Sequence, residues 1–170
     1  MPRPSATEYG SYYQTYINYT SGKDYSILVQ QYHERITESW SAIPAEKTNY
    51  AYGPDKWTIK QMFQHVIDTE RIFAYRALAI SRKEPNPIAG FDENEYAKNA
   101  TAVNRNWKDM LTEWRVVRQS TNLLFASFNE DQLKCQGIAS GNPMSVNALG
   151  FIIFGHALHH LHILKERYGV

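Results

Sequence analysis

The sequence predicts an all-α protein, a four-helix bundle with a long crossover between its second and third helices. Four amphipathic segments carry apolar residues at intervals of three and four, and no segment shows the alternation typical of a half-buried strand. About 20 residues that include Pro85, Pro87 and Gly90 separate the second segment from the third. Because a connection of that length can cross a bundle, we expect the helices on either side of it to be parallel neighbours.

The first two helices are predicted over residues 24–42 and 58–80. The first has an apolar stripe that recurs every fourth residue, formed by Leu28, Tyr32, Ile36 and Trp40. The second opens on a capping box, because Thr58 can accept a hydrogen bond at the helix start and Gln61 follows three residues later.

The third and fourth helices are predicted over residues 101–128 and 145–168. The strongest stripe of the chain lies in the third helix and consists of Val103, Trp107, Met110, Trp114, Val117, Thr121, Leu124 and Phe128. Ser145 is a favourable N-cap for the fourth helix, and Gly169 ends it. Residues 131–143 are predicted to form a loop.

One domain over residues 1–170 is expected, with a tyrosine-rich extension at residues 1–22 packed on it. Eighteen basic residues balance 17 acidic ones, and no basic stripe occurs along the chain. Since phosphate binding needs a clustered excess of positive charge, nucleic acid is excluded as the main partner. A small molecule is the expected partner.

The compartment is expected to be the cytoplasm. Cys135 is the one cysteine, which excludes an intramolecular disulfide and fits a reducing environment. The first residues lack the apolar core of a secretory signal. No stretch approaches the roughly 20 apolar residues that span a bilayer, so no membrane partner is expected.

Histidines carry the candidate site. Four of the six lie between His156 and His162 in the fourth predicted helix. Residues four apart on a helix differ by about 40° around its axis, so His156 and His160 point the same way, in line with the apolar Ile152 and Ile163. Two imidazoles one turn apart can bind one Zn²⁺ or Ni²⁺ ion, although the glutamate of a zincin motif is absent here.

A third ligand is expected from another helix, because two histidines are too few for a tight site. His65, on the inward stripe of the second helix, is the best candidate, and His33 is a weaker one. His159 can replace His160 through its three-residue spacing from His156. His162 points about 120° away from His156 and is expected at the surface.

A structural interpretation competes with the metal site. A single inward histidine such as His65 is more often a hydrogen-bonded core residue than a ligand. The stacked pair on the fourth helix favours a metal, because two buried imidazoles would otherwise need partners for both ring nitrogens.

Five segments together resemble the DinB-like (DinB/YfiT-like) superfamily of bacterial metalloenzymes, the DNA-damage-inducible group. They are KWTIKQMFQHVIDTERIFAYRAL, GHALHHLHILKERYG, EYGSYYQTYI, GFDENEY and NPMSVNALGFIIFGH. The resemblance covers nearly the whole chain. It implies a four-helix bundle of unusual connectivity, a homodimer, and a divalent metal held by His65, His156 and His160.

The resemblance also implies a function, because relatives on this fold use the metal to activate a low-molecular-weight thiol. The leading hypothesis is metal-dependent thiol transfer or hydrolysis, in which a bound thiol or water attacks an electrophilic substrate. The alternative is a non-catalytic, metal-stabilised binding or stress-response protein. Neither the metal nor the substrate follows from the sequence.

Four charged residues near the histidine stripes are candidates for supporting roles. Asp68 and Glu70 could orient ligands or move protons, although solvated helix acids are the commoner outcome, and Glu70 could instead pair with a basic residue. Arg76 and Arg167 could hold a substrate carboxylate, and an ion pair at the end of the bundle is the competing interpretation.

Overall fold

The computed structural model describes residues 2–170 and is predominantly helical. Its four longest helices are α2 (Tyr25–Ser41), α3 (Ile59–Ser81), α5 (Trp107–Ala126) and α7 (Val146–Ile163), and a π-helical turn, Leu164–Tyr168, extends the last. Three short helices are α1 (Gln14–Asn18), α4 (Glu93–Asn99) and α6 (Glu130–Lys134), and two strands are β1 (Gln136–Ala139) and β2 (Asn142–Ser145). The predicted helical fold is confirmed.

The order of packing in the bundle is unusual. Helices α2 and α3 each pack against both α5 and α7, so that α2 and α3, although consecutive long helices, stand diagonally across the bundle. Large aromatic side chains fill the centre, where the rings of Trp40 and Phe63 stack with centroids 4.4 Å apart and Trp114 packs against Phe63. Residues 82–106, which include α4, cross between α3 and α5 and provide the predicted long connection.

Side-chain caps are present at the start of three helices, and two of them, at Thr58 and at Ser145, were predicted. Thr58 and Gln61 form both hydrogen bonds of the capping box at the start of α3. Asp24 accepts from the backbone of Ile27 at the start of α2, and Ser145 accepts from Ala148 at the start of α7. Each cap satisfies a backbone N–H that has no partner within its own helix.

The predicted start of the third helix at residue 101 is wrong. Thr101 adopts a left-handed conformation with φ 49°, and helix α5 begins only at Trp107, where Asn106 caps the backbone N–H groups of Lys108 and Asp109. Val103, counted in the apolar stripe, lies in a 3-10 turn and is 41% exposed. Apolar residues recur at helical spacing before Trp107 only by coincidence, because the left-handed conformation of Thr101 prevents a continuous helix there.

The predicted loop at residues 131–143 contains structure instead. Helix α6 occupies its first part, and β1 pairs with β2 as an antiparallel hairpin. Ser140 and Gly141 form the turn with φ values of 52° and 73°, the left-handed pair that suits a two-residue hairpin. Strands of four residues are too short to show a clear alternation, which explains why the sequence pattern missed them.

The tyrosine-rich segment lies on the bundle. Tyr9 forms a β-bridge with Met144 of the hairpin, and α1 packs along α7. Tyr13 and Ile17 are buried in the core. Within residues 2–170, no helix has the length and apolar character needed to traverse a membrane.

Candidate metal centre

Three imidazole rings converge between α3 and α7. The Nε2 atom of His156 lies 3.0 Å from Nε2 of His65 and 3.1 Å from Nε2 of His160. One ligand atom from each of the three residues falls within 4.8 Å of the other two. His156 and His160 are buried, whereas His65 is half-buried. The three residues predicted as ligands therefore meet at a common point.

The rings are held neutral by their surroundings. Burial lowers the pKa of His65 to about 4. Burial, followed by the repulsion of neighbouring imidazoles, lowers the pKa of His156 and of His160 well below its ordinary value. Neutral imidazole is the form that binds a metal, because the ligating nitrogen must keep its lone pair.

The donor set fits a divalent ion better than it fits hydrogen bonding among the rings. Nε2 of His156 has two Nε2 neighbours, but one nitrogen lone pair accepts only one good hydrogen bond. An ion accepts all three lone pairs at once, with each ring protonated at Nδ1. Nitrogens that bind one ion from about 2.1 Å lie about 3.0 to 3.4 Å apart, depending on the angle between them, so the separations of 3.0 and 3.1 Å are close to those of a ligand set.

Neighbouring side chains orient the rings of His65 and His156. Trp57 packs against His65 with ring centroids 4.9 Å apart, and Tyr16 meets His156 edge-on at 5.3 Å. The Thr69 hydroxyl lies 3.4 Å from Nδ1 of His65, at the long end of hydrogen-bond distances. These contacts orient the ring nitrogens before an ion binds, so less conformational entropy is lost on binding.

The three histidines form part of the wall of a cavity of about 460 Å³. Arg76, Glu93, Ser140 and Asn142 provide polar groups in that wall. Its aromatic residues are Tyr12, Tyr13, Tyr16, Trp57, Phe73 and Phe91. A volume of this size admits a small organic molecule beside the histidines.

The other histidines are not part of the cluster. His159 lines the cavity, but its ring packs against Tyr16 and Tyr19, so that among residues 2–170 the metal-ligand group is formed without it. His162 is exposed, as predicted. His33 lies on α2, where its Nδ1 is 3.2 Å from Asn122 of α5.

The charged candidates separate into two groups. Arg76 is buried and lines the cavity, and no ion pair involves it within the described chain, so the competing interpretation of an ion pair is wrong for this residue. Arg167 is exposed and lies outside the cavity wall. Asp68 also lies outside it and accepts a hydrogen bond from Gln64 at 2.9 Å.

Glu70 is not solvated, and the expectation that it is a surface acid is wrong. It is 3% exposed and forms an ion pair of 3.1 Å with Arg118 of α5, which is fully buried. Burial raises the pKa of Glu70, and the neighbouring guanidinium opposes that rise. The predicted alternative, a pair with a basic residue, is therefore the observed one, and it joins α3 to α5 away from the metal centre.

Sequence reasoning missed the part of the wall that comes from the N-terminal segment and the hairpin. Tyr12 and Tyr16 have hydroxyl oxygens 3.1 Å apart at the cavity, and Ser140 and Asn142 come from the hairpin turn and β2. The spacing of the tyrosines was the available signal, because it places Tyr12 and Tyr16 one turn apart on one helical edge.

The chain belongs to the DinB superfamily, whose family model matches residues 28–164. That match includes α3 and α7, and hence His65, His156 and His160. The family resemblance seen in the sequence is thereby confirmed. No curated protein matches the chain in sequence.

The fold is similar to that of YfiT from Bacillus subtilis, described as a probable metal-dependent hydrolase with an unusual four-helix bundle topology. The two chains share 16% sequence identity, and the TM-score is 0.68 over 99% of this chain and 93% of YfiT. At that identity the likeness establishes the four-helix bundle and its topology.

Proposed function

We propose that this protein is a metal-dependent hydrolase or thiol transferase in which His65, His156 and His160 hold a divalent ion, most readily Zn²⁺ or Ni²⁺. The observation that carries the proposal is the convergence of three neutral imidazole nitrogens at the wall of a cavity of about 460 Å³. A structural metal site is usually closed by four protein ligands, whereas three ligands beside a cavity leave room for substrate or water.

The ligand set determines the chemistry that the site supports. The cluster contains three histidines and no carboxylate or thiolate, so the protein ligands add no negative charge. A divalent ion in such a set supplies Lewis acidity, which lowers the pKa of water or of a thiol towards neutrality. Hydrolysis and thiol transfer both need such an activated nucleophile.

The surrounding residues hold the reactants and limit access of water. Trp57 and Phe73 line the cavity beside the histidines. Burial raises the pKa of Tyr16, so its hydroxyl stays protonated and can donate a hydrogen bond into the cavity. Such a donor would stabilise an oxygen on which negative charge develops during attack.

The relatives support the two branches of the proposal unequally. The description of YfiT as a probable metal-dependent hydrolase supports hydrolysis by analogy of fold. Thiol transfer rests on the family resemblance. The cavity is compatible with both, because either reaction brings one small nucleophile and one electrophile to the same ligand triad.

Metal analysis combined with activity assays tests the proposal. Wild type is expected to bind one equivalent of Zn²⁺ or Ni²⁺, whereas His65→Ala and His160→Ala bind little. His162→Ala removes an exposed histidine and is the matched control. Chelation should abolish, and added metal restore, activity against a panel of esters, amides and thiol-transfer substrates.

Two outcomes would count against the proposal in different ways. If the wild-type protein binds no divalent ion, the proposed metal centre does not exist. Metal that raises the melting temperature of a protein with no turnover on the whole panel would favour the alternative, a non-catalytic metal-stabilised binding or stress-response protein.

We also propose a homodimer, as the family resemblance implies. Trp107 and Trp114 are buried within the chain and are unavailable for an interface. Exposed apolar residues elsewhere, such as Val116 and Leu123 on α5, remain available. Sedimentation at micromolar concentration checks the proposal, and a single species of 19.7 kDa would contradict it.

A further inference from the structure

Arg76 is a buried cation in the wall of the candidate metal cavity. It lies near the C-terminal end of α3 and is 1% exposed. Its side chain also lines the cavity that contains the three histidines. An arginine keeps its charge when buried, so the cavity wall includes a permanent positive charge.

The hydrogen bonds of Arg76 leave part of its guanidinium without a partner. Its Nη2 donates to the backbone oxygen of Ala89 at 3.2 Å and to the hydroxyl of Ser140 at 2.8 Å. Its Nε is buried and has no hydrogen-bond partner within residues 2–170. Both acceptors are neutral, so they orient the group without neutralising its charge.

No carboxylate compensates that charge in the described chain. Arg76 forms no ion pair with any aspartate or glutamate of residues 2–170. Glu93 lines the same cavity but is exposed. Arg118, the other fully buried arginine, is compensated by an ion pair of 3.1 Å with Glu70, which is the usual arrangement for a buried charge. Since an unpaired buried charge is strongly unfavourable, Arg76 has the environment of a residue whose counterion comes from a ligand.

The position of Arg76 relative to the histidines sets the shape of that ligand. His65, Thr69, Phe73 and Arg76 all line the cavity along one face of α3. Eleven residues separate the first from the last, which at about 1.5 Å per residue corresponds to about 16 Å along the helix axis. Phe73 and Phe91 provide apolar surface in the same cavity wall.

We propose that Arg76 binds an oxyanion, a carboxylate or a phosphate group, of an elongated substrate whose apolar part contacts Phe73 and Phe91. The reacting bond of that substrate lies at the histidine triad. The position of the reacting bond rests on the proposed function. The anion site does not, because no metal ion takes part in it. Arg76 thus determines the class of substrate that binds. An uncharged molecule of the same shape would leave the positive charge of Arg76 without a counterion.

Binding of paired probes to the full-length, chelator-treated protein tests the proposal without turnover. The probes are 3-phenylpropionate, its uncharged amide 3-phenylpropionamide, and phenyl phosphate, with affinities measured by titration calorimetry. Wild type is expected to bind the carboxylate at least about tenfold more tightly than the amide. Comparison of 3-phenylpropionate with phenyl phosphate identifies which oxyanion the site prefers.

The variants assign the preference to one side chain. Arg76→Gln should lose the preference for the anion and still bind the amide, whereas Arg76→Lys should keep part of it. Arg167→Gln removes the same charge from an exposed position and should behave as wild type. In wild type, the Nε–H resonance of Arg76 should shift with 3-phenylpropionate and not with the amide, a readout that does not depend on any variant folding.

Several results would overturn the proposal. Equal affinity of wild type for 3-phenylpropionate and its amide would overturn it. So would a folded Arg76→Gln variant that still prefers the anion. A wild-type Arg76 Nε–H resonance that does not shift when the anion is added would also overturn it. Loss of stability in Arg76→Gln with the preference intact would leave Arg76 as a link between α3 and the hairpin. None of these outcomes bears on metal binding or turnover, so a failure here is distinct from a failure of the proposed function.

Discussion

Gly155 of α7 lies directly against the backbone of Tyr16 in α1. A Cβ atom built on Gly155 would overlap the carbonyl oxygen of Tyr16, a backbone atom that cannot rotate away. The absence of a side chain at Gly155 therefore permits the close packing of α1 on α7. The same contact places the ring of Tyr16 edge-on against His156, the next residue along α7.

Gly155→Ala is expected to displace the N-terminal segment. The gain in helix propensity, at most about 1 kcal/mol, is outweighed by an overpacking cost of about 1–3 kcal/mol. We expect lower stability in urea, faster proteolysis within residues 2–20 and weaker metal binding. Gly53→Ala is the matched control, since its new Cβ would meet only Lys56 at 3.7 Å. Equal stability and equal proteolysis of the two variants would show that α1 tolerates the change.

The metal-free protein is expected to lose stability as the pH falls from about 6.5 to about 4. The pKa of His65 is about 4 in the folded protein, against 6.5 in the unfolded chain. Between these values the unfolded chain binds the additional proton, so the free energy of unfolding decreases towards low pH. The pKa values of His156 and His160 are shifted in the same direction.

Urea denaturation between pH 4 and 8 measures this effect, which for His65 alone is on the order of 3 kcal/mol. His65→Gln should flatten the curve relative to wild type, and His162→Gln should leave it unchanged. A wild-type stability that rises as the pH falls through this interval would contradict the burial of neutral imidazoles.

Arg118→Met is expected to destabilise the protein by about 3–5 kcal/mol, because it leaves the buried carboxylate of Glu70 unpaired. Glu70→Gln combined with Arg118→Met should recover a large part of that loss, since the double variant buries no uncompensated charge. A double-mutant cycle in urea measures the coupling energy. Additive effects of the two substitutions would mean that the 3.1 Å pair contributes no specific interaction.

Asp68→Asn is expected to change turnover less than about twofold and stability by less than about 1 kcal/mol. Although Asp68 lies one turn from His65, it is outside the cavity wall and interacts with Gln64 and Arg71. Activity of the metal-loaded variant on the best substrate of wild type measures this. A large fall in kcat at unchanged metal content would return Asp68 to the list of catalytic candidates.

Local signals made most of the bundle predictable from the sequence. The capping box of Thr58 and Gln61 and the caps at Asp24 and Ser145 depend on residues within four positions of one another. The pair His156 and His160 was likewise visible as one turn of an apolar helix. Such features are determined by helix periodicity, whatever the rest of the chain does.

The features that the sequence did not predict depend on contacts distant in the chain. The hairpin is held by the bridge from Tyr9 to Met144 and by a second bridge from Ile88 to Ala139, neither of which has a local pattern. The lack of a counterion at Arg76 is likewise a property of the whole assembled cavity, and no stretch of sequence displays it.

Coverage of α7 by α1, α2 and α3 has a kinetic consequence for any ion held by His156 and His160. The cavity is then the route by which that ion exchanges with solvent, and the ring of Tyr16 borders it. The dissociation rate, as distinct from the equilibrium affinity, would report how often the tyrosine-rich segment separates from the bundle. A metal site covered in this way would keep a bound ion through brief falls in the free metal concentration that would empty an open site of equal affinity.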